Sequence, residues 1–441
     1  MAKAPKAKTK AVKVNFHEQL ILNKWLWSKF NPNRLEGMKQ QLDYPQFEGI
    51  EHEGDNAGQT KFFSVISNTL FNKQVVDIDV LRRYDLNIVK HWQKITEKRN
   101  EIEGHVLNLK YFQYLSLLFT ELYLDQYFNH QADMLNELNV ELEQYNHDQK
   151  SDADQFQQYL PEDLNKIGYW NATGSGKTLL MHVNILQYLD YFQHQNGNST
   201  YPDQIILLTP NEGLSEQHLQ ELTDSGFQAT LFDKQKSRNS LYRDEIQIID
   251  MNKLSDTDGD KTVATMSLEG KNLVLIDEGH RGTSSSAGAW MERRDILTKD
   301  GFSFEYSATF GQAVSKADNV YKRFEDAKKQ KAKMLYGMAI NKLTEEQKKN
   351  IQLDELEQQK YRREALREVY AKSILFDYSY KYFYADGYGK EVNILNMKEY
   401  HEDDERNLYL TACLLSFYQQ QYLFKKNQAK LAKFNIEKPL W

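Results

Sequence analysis

Eight residues, Asn171-Ala172-Thr173-Gly174-Ser175-Gly176-Lys177-Thr178, restrict most strongly what this chain can fold into. Two glycines around a serine make accessible the backbone geometry in which successive N–H groups point into one concavity, as phosphate oxygens require. Lys177 adds a cation for the β- and γ-phosphates, and Thr178 a hydroxyl for Mg²⁺. A helix must begin at this point so that its N-terminus faces the anion, and Leu179 to Tyr191 has helical periodicity. The strict Walker A pattern has glycine where this sequence has Asn171; Ala172 to Thr178 keep the glycines, lysine and hydroxyl in place. The expected ligand is therefore a nucleoside triphosphate with Mg²⁺.

A phosphate loop calls for a second feature, an apolar strand ending in an acid that reaches the metal. About one hundred residues after Lys177 comes Asn272-Leu273-Val274-Leu275-Ile276-Asp277-Glu278-Gly279-His280. Its four apolar residues suit a strand buried on both faces. Asp277 at its end is placed to hold Mg²⁺ together with Thr178, and Glu278 to polarise an attacking water. Further apolar runs, Gln204 to Leu208, Ile246 to Ile249 and Phe302 to Tyr306, alternate with helical or loop segments. That alternation predicts an α/β fold with a parallel sheet.

The flanks read differently. Residues 1–13 form a basic tail with five lysines and no apolar stretch behind it, so it is not a signal peptide. Residues 14–128 read as a helical domain, in which Val106 to Phe128 is apolar on nearly all faces and expected to be buried. Residues 129–166 carry nine acids against two lysines and read as an acidic helix, Asp133 to Tyr145, followed by a solvated connector. The α/β region takes 167–320, and 321–441 is charged, helical and aromatic-rich. The most apolar run, Leu408 to Phe417, is about half a membrane span. A single cysteine, Cys413, excludes an intramolecular disulfide and a multi-cysteine zinc site and suits a reducing cytoplasm. The net charge of −7 argues against coating nucleic acid by bulk charge, but leaves room for a local basic groove.

Asp277-Glu278-x-His280, with Ser307-Ala308-Thr309 ending another strand, resembles the superfamily 2 DExH-box helicases and translocases. The resemblance implies a RecA-like P-loop domain flanked by mainly helical segments. In it Ala172 to Thr178 look like motif I, Asp277 to His280 motif II and Ser307 to Thr309 motif III. It implies that Lys177, Asp277, Glu278 and His280 serve catalysis, and that His280, Ser307 and Thr309 couple the γ-phosphate to nucleic-acid binding. Thr209-Pro210, with Leu214 and Gln217 beyond, is similar to motif Ia and implies nucleic-acid contact through Thr209, Pro210 and Gln217. Gln113 resembles the upstream glutamine that reads adenine, with 129–166 inserted between it and the loop.

Asp277 to Gly282 and Phe304 to Ala313 resemble more closely the helicase-type (Res) subunits of type III restriction enzymes and related anti-phage ATPases. That resemblance implies the ATP-binding half of a helicase or translocase in a restriction or phage-defence system. Its partners would be nucleic acid, DNA rather than RNA, and a methyltransferase or other defence-system subunit. No Gln-x-x-Gly-Arg-x-x-Arg motif and no Pro-Asp…Asp/Glu-x-Lys nuclease set occurs, and Ile436 to Trp441 read like the approach to a second RecA-like domain. The expectation is a truncated or split protein that hydrolyses ATP weakly by itself. A nucleotide-dependent switch or scaffold that binds ATP without translocating is the competing expectation.

Overall fold

The computed structural model describes residues 15–70, 72, 76–149, 155–195, 201–233, 244–255, 263–278, 293–316, 320–363, 366–389 and 403–431. The tail read at 1–13 and His280 lie outside them. Among the described residues no helix is long and apolar enough to cross a membrane.

The N-terminal region is helical: α1 (Ile21–Trp27), α2 (Leu35–Leu42), α3 (Lys61–Val65), α4 (Ile78–Glu103), α5 (Tyr111–Asn129) and α6 (Gln131–His147). The helix expected from Val106 begins at Tyr111 as α5 and leaves Val106 exposed; it is apolar on nearly all faces, and its side chains from Tyr111 to Asp125 are buried except Gln113. Such a helix must be enclosed. The α/β region follows with β1 (Lys166–Asn171), α7 (Lys177–Gln195), β2 (Ile205–Thr209), α8 (Glu212–Asp224), β3 (Ala229–Leu231), β4 (Ile246–Asp250), the short β5 (Leu254–Ser255) and β6 (Val263–Ala264), β7 (Leu273–Asp277) and β8 (Phe302–Ser307). After these come α9 (Phe310–Lys316), α10 (Val320–Tyr336), α11 (Glu345–Asn350), α12 (Glu355–Arg363), α13 (Leu366–Ser373), β9 (Ile374–Tyr378) and α14 (Tyr380–Ala385).

Seven strands form one parallel sheet in the order β3-β4-β2-β7-β8-β1-β9. Side chains alternate across it, as the pleat requires. Tyr169, Leu207, Ile248, Leu275 and Phe304 face one large core shared with α4 to α7, whereas Ile206, Leu208, Ile249, Val274 and Ile276 face a second core on the other side. The N-terminal helices are thus one wall of the sheet's own core. A buried polar network stitches that wall together. The Tyr306 hydroxyl donates to Asn184 Oδ1 (2.7 Å), Gln187 Nε2 to Glu121 Oε1 (2.7 Å), Tyr191 to Glu121 Oε2 (2.8 Å) and Asn87 Nδ2 to Glu121 Oε1 (2.8 Å). Burial pushes the Glu121 carboxyl up to about 7, against the hydrogen bonds that favour its charge.

Two local readings differ from the sequence expectation. The stretch expected as a solvated connector after α6 is packed where it is described, with Phe156 and Tyr159 buried. The amide of Asn146 holds the Phe156 backbone at both N–H (2.9 Å) and C=O (2.8 Å), and Phe156 stacks on Tyr145. Two aromatic anchors outweigh the acidity of the surrounding sequence. The second difference is β9, an edge strand from the aromatic-rich stretch, which pairs in parallel with β1 and closes the sheet beside the phosphate loop.

The described residues up to Gly389 make one compact unit, and those beyond make a second, represented by α15 (Asp403–Leu431). This helix carries the apolar run noted above, and Leu408, Leu414, Leu415 and Tyr418 on it are exposed.

Candidate nucleotide site

The parallel registers bring the strand ends to one edge of the sheet. Asp277 pairs with Tyr306, Trp170 with Ser307, and Asn171 with Tyr378, so β7, β8, β1 and β9 all finish together. The carboxyl edge of such a sheet is where α/β folds bind ligands.

The loop after β1 has the geometry expected of it. Gly174 and Gly176 both sit at φ +88°, where a side chain is strained. Ser175 turns its hydroxyl inward onto the carbonyl of Ala172 (2.8 Å), and the Ala172 N–H donates to Tyr378 O of β9 (2.9 Å). Thr173 and Gly174 are exposed at the tip, and Lys177 and Thr178 open the first turn of α7. Gln113, sixty-four positions before Lys177, lies directly against this loop. Its Nε2 donates to Ser175 O (3.1 Å) while its Oε1 accepts from the Lys110 N–H (3.0 Å) and caps α5. On the other side, the Phe383 ring comes within 3.5 Å of where a Cβ on Gly174 would stand.

Glu278 is where the three motifs meet. Its carboxylate pairs with the Lys177 ammonium, accepts from Ser307 Oγ at Oε2 (3.2 Å), and lies 3.4 Å from the Ala308 N–H. Ser307 Oγ in turn accepts from the Thr309 N–H (3.0 Å). Glu278 has φ +53°, the one non-glycine residue in the left-handed region among the described residues. Strained backbone of this kind concentrates at functional sites. Asp277 beside it accepts a hydrogen bond at Oδ2 from His218 Nε2 of α8 (3.0 Å). The Trp170 indole donates to Ala308 O (3.1 Å) and fixes the loop after β8 from below.

The other residues named from the sequence fall as follows. Thr209 is buried, and its hydroxyl is taken up by Ser215 Oγ (2.6 Å) and the carbonyl of Asn211 (3.4 Å). Pro210 is half-buried and Gln217 exposed on the outer face of α8.

Sequence reasoning missed His218 and Phe383. For His218 a signal existed: Ser215, His218 and Leu222 recur at helical spacing and form the buried stripe of α8. Behind it, burial pushes the His182 imidazole down to about 3, with the neighbouring His218 adding to the effect, so His182 is a neutral ring. Its Nδ1 lies 2.8 Å from Ser225 Oγ.

The loop's glycines, the lysine and the neighbouring carboxylates fit ATP and Mg²⁺. The lysine faces the carboxylate that a phosphate would displace, and a side chain on Gly176 would fill the cradle. This arrangement of phosphate loop, acidic strand end and Ser-Ala-Thr strand end defines a superfamily 2 helicase-like domain of RecA-like α/β architecture. Residues 126–312, less than half of the chain, match the family model "Type III restriction enzyme, res subunit". Among solved structures the chain is similar to the Sulfolobus solfataricus SWI2/SNF2 ATPase core in complex with dsDNA. The identity is 15% over 33% of this chain and 28% of that one, with a TM-score of 0.22. The match thus spans less than a third of that protein's length. No curated protein matches the chain.

Proposed function

We propose that this chain supplies the ATP-binding lobe of an ATP-dependent DNA helicase or translocase, in a restriction or phage-defence system of the cytoplasm. The observation that carries the reading is the convergence of Lys177, Ser307 and the Ala308 N–H on Glu278. A γ-phosphate arriving at the loop would compete with Glu278 for Lys177, and the released carboxylate would turn to the attacking water. Ser307 and Thr309, tied to each other and to Glu278, would register that change at the end of β8.

In this reading the backbone N–H groups from Ala172 to Thr178 cradle the phosphates. Thr178 and Asp277 hold Mg²⁺, which when bound screens the charge on the β- and γ-oxygens. Gln113 sets the position of the loop through Ser175 and, held there, offers the second hydrogen of its Nε2 to adenine, while His280 completes the coupling set. Pro210 and Gln217, with the backbone at Thr209, face the nucleic acid.

The test is fluorescence anisotropy of labelled duplex and single-stranded DNA with and without a non-hydrolysable ATP analogue, on wild type and Lys177→Ala. Nucleotide should change DNA affinity in wild type only. Tight nucleotide binding with no DNA binding under any salt condition would reduce the protein to a P-loop ATPase without a nucleic-acid role.

A further inference from the structure

The hydrogen bond between α8 and the end of β7 points to a role outside the motifs. His218 Nε2 lies 3.0 Å from Asp277 Oδ2, and both side chains are largely withdrawn from solvent, at 6% and 14% exposure. The other ring nitrogen, Nδ1, is buried and has no hydrogen-bond partner. An ionised carboxylate only accepts, so the hydrogen bond is carried by an N–H on Nε2. His218 is therefore a donor whose Nε2 is given over to one carboxylate oxygen.

The surroundings hold the ring in place. Ser215 and Leu222 flank His218 on the buried stripe of α8, and Ser215 is hydrogen-bonded to Thr209 at the end of β2. Strand β2 lies next to β7, so one turn of α8 reaches the ends of two neighbouring strands.

We propose that His218 is a positioning residue for the metal site. By occupying Oδ2 it fixes the Asp277 carboxylate so that Oδ1 alone is presented to the Mg²⁺ accompanying ATP. A carboxylate held by one outer donor costs less freedom on binding metal than a free one, and partners of this kind typically change metal affinity about 10- to 100-fold. This inference rests on the nucleotide-site reading above.

The experiment measures Mn²⁺ binding by electron paramagnetic resonance in the presence of ATP, and ATP binding separately in EDTA, on the full chain. His218→Leu removes the donor, His218→Asn keeps polarity but its amide falls short of Oδ2, and His218→Gln places an amide N–H at about the reach of Nε2. The leucine and asparagine variants should weaken Mn²⁺ about tenfold or more while metal-free ATP affinity stays within about twofold. The glutamine variant should recover most of the loss. A merely structural histidine would lower metal-free ATP binding as well and would not be rescued by glutamine. Wild-type Mn²⁺ affinity in His218→Asn, or no recovery in His218→Gln, would overturn the proposal while leaving the nucleotide site standing. Failure of the wild type to bind ATP would overturn both.

Discussion

Gly176→Ala is the sharpest probe of the phosphate loop, because two separate penalties can be worked out for it. The backbone sits at φ +88°, and left-handed conformations cost an L-residue roughly 1–2 kcal/mol. The new methyl would also lie 2.5 Å from Gln113 Nε2, inside contact distance. Gln113 cannot simply swing away, since its Oε1 accepts from the Lys110 N–H while its Nε2 donates to Ser175 O. Breaking the second bond costs about 1 kcal/mol. The sum, about 2–3 kcal/mol, corresponds to roughly 30- to 150-fold weaker ATP binding, measured by titration with a fluorescent analogue. The two penalties separate in a double-mutant cycle. In a Gln113→Ala background the collision is gone, so Gly176→Ala should cost only the backbone share, with a coupling of about 1 kcal/mol between the sites. Affinity within threefold of wild type for the single variant would refute the cradle, and strict additivity would refute the contact between Gln113 and the loop.

Lys177→Ala removes the cation that faces Glu278 and should weaken ATP binding about tenfold to a hundredfold, from the worth of hydrogen bonds to charged groups; unchanged affinity by calorimetry would contradict the site. Glu278→Gln keeps the shape but loses the base, so ATP should still bind while turnover disappears in any assembly in which the wild-type chain turns over; wild-type phosphate release would place the base elsewhere. Glu121, lifted by burial to about 7 in the folded state, binds more protons folded than unfolded between its usual 4.5 and that value. Its contribution to stability is therefore complete below about pH 4.5 and declines as pH rises toward 7. Glu121→Gln should accordingly gain on wild type by up to about 3 kcal/mol between pH 4 and pH 8 in urea denaturation, and a flat difference would show that the carboxyl keeps its ordinary affinity for protons.

What was legible in the sequence is what is encoded over short distances. The glycines of the loop, the helix that follows them, and the runs at Gln204, Ile246, Leu273 and Phe302 each announce themselves within ten residues, and each forms the element expected. Helix α5 was legible, apart from its start at Tyr111, because a run apolar on nearly all faces has nowhere to go but inside. Strand β9 was not, because its environment comes from β1, some two hundred residues earlier, and its own Ile374-Leu375-Phe376-Asp377-Tyr378 includes an acid. That acid is accommodated by His17, whose Nδ1 lies 2.5 Å from Asp377 Oδ2 and whose ring stacks on Trp170 at 4.3 Å. No local pattern could pair residues 17, 170 and 377. Strand β3 failed for the opposite reason: Ala229-Thr230-Leu231 is short and only partly covered, so it has too little apolar signal to stand out.

The same contrast explains how the site is built. Its chemistry lies on contiguous motifs, but its geometry is imposed by residues distant in sequence that arrive from both sides. Gln113 reaches Ser175 from the start of α5, and Phe383 reaches Gly174 from just past β9. The segment around Phe383 is itself pinned. The hydroxyls of Tyr111 and Tyr378 both donate to Asp386 Oδ2 (2.5 and 2.6 Å), and Lys39 pairs with Oδ1 (2.5 Å). Phe112 stacks flat on Tyr378 with centroids 3.9 Å apart, so α5 and β9 are joined by both rings and hydroxyls. Burial and the Asp386 carboxylate push both tyrosines well above their ordinary range, which favours the protonated hydroxyls that donate here. A phosphate loop depends on backbone placed to within a fraction of an ångström, and a glycine-rich segment supplies none of that stiffness itself. The N-terminal helices and the strand after α13 supply it, which is why they share one core with the sheet instead of forming appendages to it.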